Sequence, residues 1–271
     1  MSETATAART LVQYEVREGV AWLTLDDPPA NCYTHEMMLQ LDQSILKARF
    51  DENVHVVVIS GNGEKMFCAG ADINMLKRSD PTFKYYFCLH ANETLSRLEQ
   101  TPKLVIAALN GNTVGGGLEI AMAADLRIAR SGKSKFGLPE VALGVLPGTG
   151  GTQRLVRIVG KSRAIELMVS GRLFDVDEAK QLGVVDEIVE AESAEAFREQ
   201  IQAYARQFCP PAKAARAVGR IKRSVQSGAE IPFESALTLE RELQQQLFQG
   251  EDAKEGLAAY LEKRAPEFKA R

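Results

Sequence analysis

From residue 19 to residue 159 one pattern recurs: a β-rich run, a turn containing Gly or Pro, and a run with helical spacing. Residues 19–25 ("GVAWLTL") lead through "DDPPAN" to a helix at 35–48. Residues 54–60 ("VHVVVIS") lead through "GNGEKMFCAG" to 71–77, and residues 103–109 ("KLVIAAL") through "NGNTVGGG" to 118–124. "LRIAR" and "SKFGLPEVALG" then lead through "LPGTGGT" to 153–159. Strands interleaved with helices specify an α/β fold. The starts are unequally spaced, so the pattern is a loose ββα-type repetition rather than a strict solenoid.

Beyond about Ser162 the character changes. "SRAIELMVSG" reads as a helix stopped by Gly171, and "DVDEAKQLG" as another, capped by Asp175 and stopped by Gly183. "VVDEIV" reads as a short strand. After Glu192 only helices are expected, broken at Pro210-Pro211 and near Pro232, with helical spacing in 233–249 and 254–271. This divides the chain into an α/β core at 1–192 and a helical segment at 193–271. With 271 residues, 45% hydrophobic, there is material for a sizeable core.

The remaining composition excludes more than it proposes. A net charge of −3 without a long basic run argues against nucleic acid as a partner. No apolar run reaches the ~18–20 residues of a membrane span. The start, "MSETATAART", lacks the apolar segment of a secretory signal, so a cytoplasmic location is expected, with Cys32, Cys68, Cys88 and Cys209 as reduced thiols. Without a signal the sequon at Asn92 is discounted. The cysteines and the three histidines have no metal-ligand spacing, and no metal is expected. "SGKS" at 131–134 and "GKS" at 160–162 fail as phosphate loops, because Arg127 and Leu155 stand where the first Gly belongs.

The chemistry is concentrated in "NGNTVGGGLEIAMAADLRIA", residues 110–129. A strand-to-helix turn leaves the first helical N–H groups unpartnered, and Gly removes the Cβ that would keep a ligand away. The helix dipole adds partial positive charge there. Gly115, Gly116 and Gly117 therefore suit a negatively charged oxygen. With a helix start near Gly116, Glu119 lies one turn on, on the same face. "MFCAGADINML" repeats this logic: Gly70 gives the turn and the N–H of Ala71 is left free. Two such N–H groups aimed at one oxygen make an oxyanion hole, fitted to a thioester carbonyl becoming an enolate; losing one donor costs about 3–4 kcal/mol. In "FGLPEVALGVLPGTGGTQRL", Glu140 follows Pro139 on an extended stretch. If the fold unites Glu119 and Glu140, burial and like charge raise a carboxyl pKa, leaving one proton donor and one acceptor. Taken singly, the glycines also fit tight packing, Glu119 a solvated first-turn residue, and Glu140 a surface carboxylate.

In combination and in this order, the three blocks resemble the enoyl-CoA hydratase/isomerase (crotonase) superfamily, from about residue 11 to the C-terminus. The resemblance implies a ββα superhelix with a helical C-terminal segment for trimerisation, as a homotrimer or a dimer of trimers. It implies an acyl-CoA substrate and no cofactor, coenzyme A being part of the substrate. By position, Ala71 and Gly116 supply the oxyanion-hole N–H groups. Glu119 and Glu140 are the catalytic carboxylates, Glu119 mainly activating water for Cβ and Glu140 exchanging the Cα proton. Ala69, Gly70, Asp72, Ile73, Gly115 and Gly148 belong to the substrate and CoA contacts. Lys263, in "YLEKRAPEFK", matches a lysine that approaches the CoA phosphates, usually of a neighbouring subunit.

Both acids are present, which points to the hydratase branch: reversible addition of water to a 2-trans-enoyl-CoA. Double-bond isomerisation on the same scaffold is the alternative, as are branched, cyclic or dicarboxylic acyl-CoA substrates. A non-catalytic acyl-CoA-binding or RNA-associated protein is the reading from another class. Two departures from the family's pattern stand out. Asp26 and Asp27 replace a basic first turn, and Gln244 stands where short-chain hydratases carry an aromatic at the acyl pocket.

Overall fold

The structure, a computed structural model, describes residues 9–271; the first eight residues of the polar N-terminal stretch lie outside the described residues. The chain opens with an antiparallel pair, β1 (Val12–Arg17) and β2 (Val20–Leu25), followed by α1 (His35–Phe50). Three turns of strand, strand and helix follow. β3 (Val56–Gly61) and β4 (Met66–Cys68) lead to α2 (Ile73–Arg78) and α3 (Pro81–Gln100). β5 (Leu104–Leu109) and β6 (Asn112–Val114) lead to α4 (Gly116–Met122). β7 (Leu126–Arg130) and β8 (Lys135–Gly137) lead to a 3-10 turn (Glu140–Leu143) and α5 (Gly151–Val159). α6 (Lys161–Ser170), β9 (Phe174–Asp175), α7 (Val176–Gln181) and β10 (Glu187–Val189) complete the α/β part. α8 (Ala194–Arg206), α9 (Ala215–Gly228), α10 (Phe233–Phe248) and α11 (Glu251–Glu262) finish the chain.

The first strand of each turn joins a six-stranded sheet, β1-β2-β3-β5-β7-β10, parallel apart from the β1–β2 pair. The second joins a four-stranded sheet, β4-β6-β8-β9, parallel except at β9. Two sheets built alternately by one chain make the ββα superhelix.

Why "VHVVVIS" is apolar throughout is explained by its place. All six residues of β3 are buried, because both faces of the sheet are covered. The period of two divides them. Val57 and Ile59 pack with Leu23, Met38, Leu41 and Leu95 under α1 and α3; Val56 and Val58 pack with Trp22, Ile106, Phe197 and Ile201 under α8. Each such side chain, fully buried, contributes roughly 1.5–3 kcal/mol. Gln202 of α8 accepts from Trp22 Nε1 at 2.7 Å and donates to Arg17 O at 3.0 Å, satisfying the one polar atom of the buried indole. α8 thus completes the core's second face, although it lies beyond residue 193.

The expected helices and long strands are found within a few residues of their sequence positions. Asp175 caps α7 by accepting from Glu178 N, and Gly171 ends α6 at φ 62°. Three features differ from the sequence reading. Glu140, expected on an extended stretch after Pro139, instead opens a 3-10 turn, Glu140–Leu143. α3, twenty residues long, has no counterpart among the expected helices, although Asp80 caps it, Pro81 opens it, and Phe87, Ala91, Thr94, Leu95 and Leu98 form its buried stripe. The helix expected across 254–271 stops at Glu262, where Lys263 turns left-handed (φ 56°) ahead of Pro266. The tail then folds back: Glu267 N donates to Glu255 and Lys269 N to Asp252, and Arg271 O accepts from Asp252 N.

Candidate active site

The two glycine turns lie side by side. Gly70 has φ 98°, and a Cβ there would lie 3.0 Å from the amide nitrogen of Gly116. Tyr33 and Ala71 form a parallel bridge that uses the Tyr33 and Asp72 amides: Tyr33 N donates to Gly70 O and Asp72 N to Tyr33 O. The Ala71 N–H stays outside the bridge. Gly115 (φ 57°) opens α4 and donates to Gly137 O at 2.9 Å. As the first residue of α4, Gly116 has no intrahelical acceptor. Side chains are excluded here by contact. A Cβ on Gly117 would sit 2.1 Å from the Cys68 carbonyl, and one on Gly116 2.2 Å from the Tyr33 hydroxyl.

Glu119 lies one turn into α4 and is 2% exposed. Its Oε1 accepts from Thr149 N and Gly151 N, each at 2.7 Å. Gly151 is the first residue of α5, so the carboxylate closes that helix's positive end. Burial raises its pKa; the Gly151 and Thr149 bonds and the Arg154 charge oppose the rise. Arg154 is itself fixed by a fork to Glu99, with both contacts 2.7 Å, and donates to Thr149 O at 3.0 Å.

Glu140 begins the 3-10 turn and meets the same glycines from the other side. Its Oε1 is 3.1 Å from where a Cβ on Gly115 would be. Its Oε2 is buried without a hydrogen-bond partner among the described residues. Burial raises its pKa to about 7, its own backbone N–H opposes this, and the charge of Glu119 adds to the rise.

The fold therefore gathers Ala71, Gly116, Gly70, Gly115, Glu119 and Glu140, from segments far apart in sequence. Ala69 belongs to the same turn, its N–H donating to Ala30 O at 3.0 Å. Gly148 is held by Asn92, whose side-chain amide donates to its carbonyl at 3.1 Å; the residue of the discounted sequon is an internal brace. Asp72 caps α2 through Met75 N, and Ile73, the first residue of that helix, is half exposed. Lys263 is exposed at the end of α11, and Gln244 lies on α10 beside α9. No hydrogen bond or ion pair among the described residues ties either to the cluster. Asp26 bonds Gln13 and Asn62, and Asp27 pairs with Arg9.

Sequence reasoning missed three residues. Tyr33 is buried and its hydroxyl lies 3.0 Å from Thr149 Oγ1, while Arg154 braces the loop behind them. Separations of 116 residues leave no local signal. Chemically, the site offers two free amides for an oxygen that gains charge, a fixed carboxyl group, and a second carboxyl that exchanges its proton near pH 7.

The family described as enoyl-CoA hydratase/isomerase matches residues 15–271. A short-chain-enoyl-CoA hydratase of Clostridium acetobutylicum is 38% identical, the match covering 94% of this chain and 97% of that protein. A 2,3-dehydroadipyl-CoA hydratase of Escherichia coli is 34% identical over 94% and 97%. A crystal structure of an enoyl-CoA hydratase from Geobacillus kaustophilus superimposes with a TM-score of 0.92 at 43% identity, covering 98% of each chain.

Proposed function

The chain belongs to the enoyl-CoA hydratase/isomerase family, and from that premise we propose that it adds water reversibly across the 2,3 double bond of a 2-trans-enoyl-CoA. One observation carries the reading: two carboxyl groups in different surroundings converge on one pair of glycine turns. Glu119 is anchored by two amides, and burial brings the titration of Glu140 up to about 7.

The thioester oxygen accepts from the Ala71 and Gly116 N–H groups. Glu119 takes a proton from water as the oxygen attacks Cβ. The π electrons move toward the thioester, and the developing enolate is held by the two amides. Glu140 gives its proton to Cα. Glu119 ends protonated and Glu140 ionised, and proton exchange through solvent resets the pair; the titration belongs to both. This chemistry asks for no cofactor beyond the coenzyme A of the substrate. Ala69, Gly70, Asp72, Ile73, Gly115 and Gly148 line the path of the pantetheine and acyl group in this reading.

A double-bond isomerase needs only the proton shuttle at Glu140. The two backbone bonds that fix Glu119 favour hydration. The test is loss of the conjugated ultraviolet absorbance of crotonyl-CoA. Wild type is expected to hydrate it, and Glu119→Gln and Glu140→Gln to lose at least about a hundredfold in kcat, the range of acid–base contributions. No turnover of crotonyl-CoA, with conversion of a 3-enoyl-CoA instead, would replace hydratase by isomerase; tight acyl-CoA binding with no turnover of any enoyl-CoA would make it a binding protein.

A further inference from the structure

We propose that Asn92 of α3 is a positioning residue for Glu119, acting through the Gly148–Thr149 peptide; this rests on the hydratase reading of the site. Both legs are hydrogen bonds of the structure. Asn92 Nδ2 donates to Gly148 O at 3.1 Å. At the other end of that same peptide, Thr149 N donates to Glu119 Oε1 at 2.7 Å. A trans peptide is planar, and its C=O and N–H point in opposite directions. Holding the carbonyl against α3 therefore aims the amide proton at the carboxyl group on α4. Gly148 has no Cβ to restrict its backbone, so this peptide is free to rotate unless its carbonyl is anchored. A carbonyl oxygen only accepts, so Asn92 must present its NH2, and a side chain without a donor cannot take its place.

The next carbonyl is held from the same helix. Thr149 O accepts from Arg154 Nη1 at 3.0 Å, and Arg154 is forked to Glu99, about two turns beyond Asn92 on α3. α3 thus takes the carbonyls of residues 148 and 149, and Glu119 takes the amides of residues 149 and 151. The two braces are not equivalent. The carbonyl that Arg154 grips shares its peptide with the Gly150 amide, which is not one of the two bonded to Glu119. Asn92 alone grips a peptide whose own N–H meets the carboxyl group. Hydrogen bonds in series polarise one another, so a donor on Gly148 O also strengthens the Thr149 N–H as a donor. Thr149 is 2% exposed, which leaves its amide no water to turn to if the brace is lost.

The experiment reads the Thr149 amide proton by NMR in the full chain labelled with 15N-threonine, assigned as the signal lost in Thr149→Ser. Wild type is compared with Asn92→Leu, which keeps the branched outline without a donor, and Asn92→Ala, which removes both. Crotonyl-CoA kcat and KM are measured alongside. The short bond to Glu119 holds this proton downfield; in both variants it is expected to move upfield and to exchange faster with solvent. Where wild type hydrates crotonyl-CoA, kcat should fall about fivefold in both variants, the worth of one hydrogen bond, with KM little changed. Adding Asn92→Leu to Glu119→Gln should lower kcat no further, since the brace acts through the carboxyl group it aims at. A space-filling role predicts otherwise: Asn92→Leu would match wild type and only Asn92→Ala would lose activity. That result overturns the proposal, as does an unmoved Thr149 signal in either folded variant, or an undiminished effect of Asn92→Leu on the Glu119→Gln background. A moved signal in a protein that hydrates no enoyl-CoA would uphold the brace and sink the hydratase reading alone.

Discussion

At the scale of single residues, Glu140 carries a conflict between stability and function. Its pKa is raised from 4.5 to about 7, chiefly by burial. Between those values the folded protein binds a proton that the unfolded chain has lost, so stability falls as pH rises. Above about 7 both states are ionised and the penalty is complete. Glu140→Gln removes it. The variant is therefore expected to lose hydration activity yet melt above wild type at pH 8, with the difference shrinking toward pH 4.5. Thermal melts across that range check it, and a variant that melts lower at pH 8 would contradict the environment described. In the proposed mechanism Glu140 gives its proton to Cα, so kcat/KM for hydration is expected to decline as pH passes about 7, while the reverse dehydration gains. The glycines and both acids were legible in the sequence because each is a short-range choice, a residue type placed at a turn. Tyr33 was not, because "NCYTH" says nothing of a threonine 116 residues away.

At the scale of elements, α5 holds the site from behind. Gly150, at φ 99°, turns the chain so that Thr149 and Gly151 present their amides to Glu119. Arg154, one turn into α5, clamps the Thr149 carbonyl and pairs with Glu99 of α3. Both partners are mostly buried, with side chains 14% and 22% exposed, so Arg154→Ala leaves a carboxylate poorly solvated. We expect a loss of about 2 kcal/mol, read as a lower Tm, and a fall in kcat larger than any rise in KM, because the loop loosens around the carboxylate. The long elements were readable, since apolar spacing over five or more residues declares a strand or helix. β4 and β6 do not declare themselves as strands, since three residues are too few to show a period. α3 had both its start signal and its stripe, but exposed Tyr85 and Tyr86 crowd the apolar pattern with residues that face outward.

At the scale of the whole molecule, the unpaired surface is the remaining quantity. α11 places Leu257, Tyr260 and Leu261 outward, 59%, 84% and 79% exposed, and α9 and α10 do the same with Ile221, Val225 and Phe248. Scattered apolar residues are ordinary on a surface; three large ones on one turn-and-a-half of helix are not. Removing them from water would stabilise an assembly by roughly 25 cal/mol per Å². Lys263, two residues past Leu261, has no hydrogen bond or ion pair to the site of its own chain among the described residues, and by resemblance it matches a lysine that serves a neighbouring copy. We therefore expect sedimentation at the mass of three chains or six, and a shift toward one chain when Tyr260 and Leu261 are both changed to Asp. Lys263→Ala should leave the assembly intact and raise KM for crotonyl-CoA with kcat little altered, because a phosphate contact binds substrate and transition state alike. If the dissociated double variant kept the wild-type KM while Lys263→Ala raised it, the lysine would serve its own chain. A wild type that sediments as one chain would remove the trimer and leave the exposed helices without a partner.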